Sequence, residues 1–361
     1  LPKFLVWLEY VQLHMLLIKC ATGLFQEICV MLTIGNIPLK NKVILAPMSG
    51  VSDLPFRRIA LRYGVGLVVS EMVASEALCT GHPESLMRAE GEGIDPHIVQ
   101  LAGKDPHWMG EGARMAEKAG ADVIDINMGC PAKKVTSGYS GSALMKDLDH
   151  AMTLVEATLD AVSVPVTLKM RLGWDETSIN APELAKRAVD AGVKMITVHG
   201  RTRSQFYKGK ADWRAIRQVR DVIPDVPLVA NGDCCKFEDA DEMLAQSGAD
   251  LVMVGRGAYG RPWVPGRIAH YLETGERLAD PHGEELAALV VEHYDAMLEQ
   301  YGFEIGVRAF RKHMGWYLEA AGRLDDAPQG FMRGLMTSLD ADLVRNTLYD
   351  WFVQVPMRSA A

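Results

Sequence analysis

Asn127-Met128-Gly129-Cys130-Pro131-Ala132-Lys133-Lys134 places an amide, a thiol and two cations directly after the apolar run Ala121–Ile126. The run reads as a buried strand. Gly129 and Pro131 then force a turn, because proline cannot continue a ladder, and the thiol is left at a rim. The carboxyl end of a buried strand is where an α/β protein places chemistry. The plainer reading of Cys130 is a small buried hydrophobe, since free cysteine is often core. The turn weighs against it.

Further candidates stand at the ends of later apolar runs. Lys169 lies inside Val166-Thr167-Leu168-Lys169-Met170, where an unpaired ammonium is costly. It suits an anionic ring or a developing enolate; the alternative is an ion pair with Glu71 or Asp125. His199 reads equally as a donor to a phosphate or ring carbonyl and as a satisfied core histidine. Asn231-Gly232-Asp233 and Gly255-Arg256-Gly257 are glycine turns whose backbone N–H groups and following helices favour a phosphate, with Arg256 as a bidentate partner. No HxH or HExxH spacing or carboxylate cluster occurs, so no metal is expected.

Positioning these groups requires eight strands. Val43–Met48, Leu67–Met72, His97–Ala102, Asp122–Met128, Pro165–Arg171, Met195–Gly200, Pro227–Asn231 and Leu251–Gly255 are predicted, with amphipathic helices between them. Helices running into Ala119-Gly120, Ala191-Gly192 and Ser247-Gly248 stop there before the next strand. The alternation predicts an α/β fold, a (β/α)₈ TIM barrel, rather than a doubly wound sheet, because Ala46-Pro47-Met48 carries no glycine fingerprint. After Gly275 the pattern becomes helical over Glu284–Gln300, Ile305–Ala321, Gly330–Thr337 and Ala341–Val353, which predicts a small all-α domain. The expected division is an extension at 1–30 outside the native fold, with Met31 as a candidate start, a barrel at 31–275 and a helical domain at 276–361.

The chain has 361 residues, 48% hydrophobic and 23% charged, with a formal charge of -8, which argues against indiscriminate coating of nucleic acid. Its six cysteines show no framework spacing, so free thiols in a reducing cytoplasm are expected. No run is long and clean enough to span a bilayer. Locally the balance reverses. From Lys194 to Arg220 there are eight basic residues and one acid, with Phe206, Tyr207 and Trp213 interleaved, the footprint of a polyanion site. Arg308, Arg311 and Lys312, with His313, Trp316 and Tyr317, make a second basic and aromatic cluster.

These segments together resemble the tRNA-dihydrouridine synthases, most closely the DusB type. The resemblance runs in order over about residues 33–320, through Ala46-Pro47-Met48, Asn127-Met128-Gly129-Cys130-Pro131, Val166-Thr167-Leu168-Lys169, His199-Gly200-Arg201-Thr202-Arg203, Asn231-Gly232-Asp233, Gly255-Arg256-Gly257 and Arg311-Lys312-His313. It implies an FMN-binding barrel with a helical tRNA-binding domain, reducing the C5–C6 bond of D-loop uridines with NADPH (or NADH), position 17 being the expected target. Carried over residue by residue, Pro47, Met48, Ser49, Gln100 and Lys169 hold the flavin ring. Asn231, Gly232, Asp233, Gly255 and Arg256 line its phosphate end, with His199 nearby. Cys130 is the catalytic acid, and the thiol's ordinary pKa near 8.5 keeps it protonated for that work. Lys133, Lys134, Arg201, Arg203 and Lys208 at the mouth, with Arg308, Arg311 and Lys312 on the helical domain, are the expected tRNA contacts. The competing readings are an FMN-dependent oxidoreductase of small pyrimidines or orotate, and a tRNA-binding protein without catalysis. The basic loop and the added helices weigh against the first, and Cys130 with Lys169 against the second.

Overall fold

The computed structural model describes residues 32–322, 334–335 and 337–355. The extension expected at 1–30 and most of the helix expected at 330–337 lie outside these residues. Eight staves form: β1 Val43–Leu45, β2 Leu67–Val68 resuming at Val73–Ala74, β3 Ile98–Ala102, β4 Val123–Met128, β5 Val166–Arg171, β6 Met195–His199, β7 Leu228–Asn231 and β8 Leu251–Val254. All pair in parallel, and β8 returns to β1. The two halves of β2 are the ends of the ladder, one on β1 and one on β3, and the bridge Val69–Ile98 joins the circle. The predicted barrel is what forms.

Two elements depart from expectation for local reasons. The second stave was expected to run unbroken over Leu67–Met72. Instead Ser70 Oγ donates to the Glu71 carbonyl and accepts from Gln100 N, while Glu71 accepts from Gly50 N, so polar side chains replace the ladder there. The amphipathic segment expected to form one helix between β4 and β5 splits into a 3₁₀ turn Gly141–Lys146 and a helix Leu148–Leu159. Asp147 makes the break by capping His150 N, which a residue inside a continuous helix cannot do. Asp53, Asp105 and Asp212 cap other barrel helices in the same manner.

Ile124, Ile126, Met128, Leu168, Met170, Ile196 and Val198 alternate with polar residues along β4–β6 and join the buried layer beneath the helices. The intervening positions form a polar lumen. Past the barrel, helices Gly283–Tyr301, Phe303–Ala320 and Ala341–Phe352 form. Among the described residues no helix is long and apolar enough to cross a membrane.

The first barrel helix, Leu54–Arg62, is the seam on which these helices sit. The Phe56 ring meets His293 at 5.7 Å and His313 at 5.9 Å, and the two imidazoles lie 4.7 Å apart. Tyr301 donates to Asp53 at 3.1 Å. Two glycines allow the close approach: a Cβ on Gly266 would lie 1.9 Å from the Tyr63 carbonyl, and one on Gly260 2.1 Å from that of Trp316.

Burial holds His293 down at about 3 and His313 well below the ordinary imidazole range. Unfolded imidazoles take up protons near pH 6.5 and these do not, so acid favours the unfolded chain. Asp53, pushed up to about 6 chiefly by burial, acts in the opposite sense, since its folded form keeps a proton that the unfolded carboxyl releases. Two histidines outweigh one carboxyl. Urea unfolding is expected to show a loss of about 2 kcal/mol between pH 6.5 and pH 5, reduced in His313→Phe; a flat profile would contradict the neutral seam.

Candidate active site

Strand register stacks the lumen in layers. Gln100, Asp125 and Thr167 are neighbours in the lower one. Asn127 pairs with Lys169 above it, and Arg171, His199 and Asn231 complete the top. Residues aligned across adjacent strands face the same side, so the layers follow from alternation.

A hydrogen-bond chain climbs from floor to rim. Asp125, buried, accepts from Thr167 Oγ1 (2.6 Å) and Gln100 Nε2 (2.6 Å). That orientation leaves Gln100 Oε1 to accept from Asn127 Nδ2 at 2.7 Å. Asn127 Oδ1 in turn accepts from Gly129 N (3.2 Å) and Cys130 N (3.0 Å), which clamps the turn carrying the thiol. Two further groups hold the same turn. Arg171 Nε donates to the Gly129 carbonyl at 2.8 Å, and Ser142 Oγ to that of Cys130 at 2.8 Å. Cys130 is half-buried, and burial pushes its thiol above the ordinary value, against the pull of the Ala132 N–H, Arg171 and Lys169.

Lys169 Nζ donates to Asn231 Oδ1 at 3.1 Å, and Asn231 is fixed in turn by donating to the Met253 carbonyl at 2.8 Å. Among the described residues Lys169 forms no salt bridge, so the ion pair with Glu71 or Asp125 is not what satisfies it. Burial first, then Arg171, pushes its ammonium down to about 8, with Asp125 opposing. His199 faces Arg201 NH1 at 3.3 Å. A guanidinium only donates, so His199 Nε2 accepts and the ring proton sits on Nδ1. Burial and the surrounding cations keep this imidazole neutral. Gly232, at φ +119°, passes close beneath, where a Cβ would lie 2.8 Å from the ring.

The other predicted residues fall as follows. Pro47 and Met48 are half-buried after β1 and Ser49 is exposed. Asp233 joins the phosphate end, but its carboxylate is shared between Arg201 (2.5 Å) and Arg256 (3.0 Å). Gly255 lies beside Met48, a Cβ there coming within 3.8 Å of the Met48 sulfur. Lys133 and Lys134 are exposed on the short helix after Cys130, and Lys208, Arg308 and Lys312 are exposed as well. Arg311 is half-buried, and Arg203 lies 4.6 Å over the Trp174 ring. Arg201 departs from its expected place among the exposed rim cations: it is 1% exposed and donates to Asp233 and to the Gly209 carbonyl. The sequence reading weighed Asp125 only as an ion-pair partner of Lys169 and assigned no site role to Arg171, Thr167 or Ser142. The signal for Asp125, Arg171 and Thr167 was there, as polar residues at every second position of two strands.

A family model described as dihydrouridine synthase matches residues 44–329. The chain belongs to the dihydrouridine synthase family. It is similar to a probable tRNA-dihydrouridine synthase of Rhizobium leguminosarum bv. phaseoli, at 56% identity over 86% of this chain and 95% of that one. It is 46% identical to tRNA-dihydrouridine synthase B of Vibrio vulnificus, over 79% of this chain and 89% of the other. The resemblance drawn from the motifs therefore stands, as does the placing of the chain among oxidoreductases. A solved histamine dehydrogenase from Rhizobium sp. 4-9 shares the fold, with a TM-score of 0.52 at 15% identity over 73% of this chain and 50% of that one.

The raised thiol has a chemical signature. Alkylation by iodoacetamide consumes thiolate, so modification of Cys130, followed by peptide mass spectrometry, is expected to climb only above pH 8.5. A midpoint at or below neutrality would show a thiolate and exclude the thiol as a resting proton donor.

Proposed function

We propose that this protein reduces the C5–C6 bond of uridines in tRNA, with FMN as its cofactor, NADPH as reductant and Cys130 as the proton donor. The observation that carries the reading is the clamped turn: a protonated thiol held by Asn127, Arg171 and Ser142 beside a lysine that has no carboxylate partner. Membership of the dihydrouridine synthase family supports the uridine C5–C6 bond as the one reduced, and the names of the relatives support tRNA as its carrier.

The residues present fit a flavin. Lys169 has one polar partner and two N–H bonds left to offer, His199 keeps a free Nδ1–H, and Arg256 is partly exposed beside the Gly232 and Gly255 turns. When bound, FMN supplies the hydride that reaches C6 of the base. Lys169, Pro47 and Met48 would hold its ring, and Arg256, Gly232 and Gly255 its phosphate. Gln100 would border the ring from the lower layer, its amide oriented by Asp125 and Asn127. Arg201 acts through Asp233, which it fixes in place.

The chain's own chemistry is the proton. Reduction across C5–C6 leaves C5 needing one, and the Cys130 thiol, kept neutral by burial, gives it up as the hydride arrives. Lys169 and Arg171 then stabilise the thiolate that remains, and solvent restores the proton between turnovers. The target base must leave the tRNA stack to reach this depth, because a stacked base exposes only its edges. Lys133, Lys134 and Lys208 are placed to hold phosphates at the mouth, and Arg308 and Lys312 along the helical region.

Dihydrouridine measured by nucleoside mass spectrometry in an unmodified tRNA transcript, with NADPH and the purified protein, tests the proposal. Cys130→Ala is expected to slow product formation about 10²- to 10⁴-fold, the usual contribution of a positioned acid. Equal rates would remove Cys130 from the mechanism.

A further inference from the structure

A run of rings and guanidinium groups leaves the barrel rim without taking part in the chemistry at Cys130. Phe206 and Tyr207 are 40% and 47% exposed and stand edge to face at 4.9 Å. The Arg256 guanidinium lies 5.0 Å from the Tyr207 ring centre. Just beyond Arg256, Tyr259 stacks on Trp316 at 4.2 Å with 23° between the planes, which takes the run onto helix Phe303–Ala320.

Packing accounts for Tyr259 and Trp316, which lie against the core, but not for Phe206 and Tyr207. Exposed aromatics add nothing to a core. Phe206 also sits at φ +55°, a left-handed conformation unfavourable for a bulky residue. The buried Arg171 holds it there by donating to the Phe206 carbonyl at 2.8 Å, and Thr202 N bonds Gln205 Oε1 at 2.8 Å to close the turn. A strained residue held so that two rings face solvent, with the exposed Lys208 next to them in the same loop, matches what a nucleic-acid strand needs: faces for bases and charge for phosphates.

We propose that this run is the track for the single-stranded RNA flanking the target uridine, with Tyr207 as the platform on which a neighbouring base stacks. The inference rests on the tRNA-uridine reading above and adds to it where the strand lies. Tyr207 touches both Arg256 at the phosphate side and Arg171 at the thiol side, 5.5 Å from its ring, so a base on Tyr207 borders the lumen.

The test is the affinity of Tyr207→Ala and Tyr207→Phe for a fluorescently labelled, unmodified tRNA transcript, read by anisotropy, with visible flavin absorbance recorded for each preparation. Tyr207→Ala is expected to bind the transcript about 5- to 150-fold more weakly, the loss of one stacked base, while Tyr207→Phe stays within about twofold. Wild-type affinity in the alanine variant overturns the track. So does a phenylalanine variant as weak as alanine, because the hydroxyl would then be the contact, and so does loss of flavin from the alanine variant, because Tyr207 would then belong to the cofactor pocket. Absence of dihydrouridine from the wild-type reaction would instead overturn the functional reading, and transcript affinity would still decide the track.

Discussion

A carboxyl group at the bottom of the lumen has to be satisfied without water. Asp125 is nearly inaccessible, burial pushes its pKa up, and the groups within reach are Thr167 and Gln100. Meeting its needs orients Gln100, which orients Asn127, which leaves one carbonyl oxygen free to take the N–H groups of Gly129 and Cys130. The position of the thiol is thus inherited from a requirement three hydrogen bonds away. A half-satisfied chain of this kind is worse than an apolar core, because each unpaired buried group carries its full desolvation penalty. Complete satisfaction makes the turn rigid.

The electrostatics follow from the same enclosure. Lys169, Arg171, Arg201 and Arg256 bring four cations to the upper lumen, and Asp233 answers two of them. Burial first, and then the neighbouring cations, keep His199 neutral and push Lys169 down to about 8. An excess of positive charge above a buried acid is a lumen prepared for an anionic occupant.

Much of this was legible in the chain. The β–α alternation gave the barrel, since buried parallel strands and glycine helix stops are local signals, and Gly120, Gly192 and Gly248 do hold positive φ. The turn at Cys130 was legible because proline and glycine admit few conformations. The break in β2 was not, as Leu67–Met72 reads as one strand with a polar end until Ser70 bonds Gln100 N and Glu71 bonds Gly50 N. Arg201 reads as a surface cation in a basic segment, and nothing nearby in sequence announces that Asp233 will bury it. Arg171 shows the same limit: its partners, Gly129, Thr202 and Phe206, come from the loops after β4 and β6, which closure of the barrel brings together.

Gly260 and Gly266 bring backbone against backbone where the C-terminal helices and the helix after β8 meet the rest of the molecule. Side-chain interfaces tolerate sliding, because rotamers adjust; contacts between main chains do not. At Gly260 the main chain lies against that of Trp316, and at Gly266 against that of Tyr63, so neither contact can shift without the backbone moving. The helix after β8 is thus tied to its neighbours by the shape of the backbone rather than by the fit of side chains, and any side chain added at either glycine has to move the main chain to be accommodated.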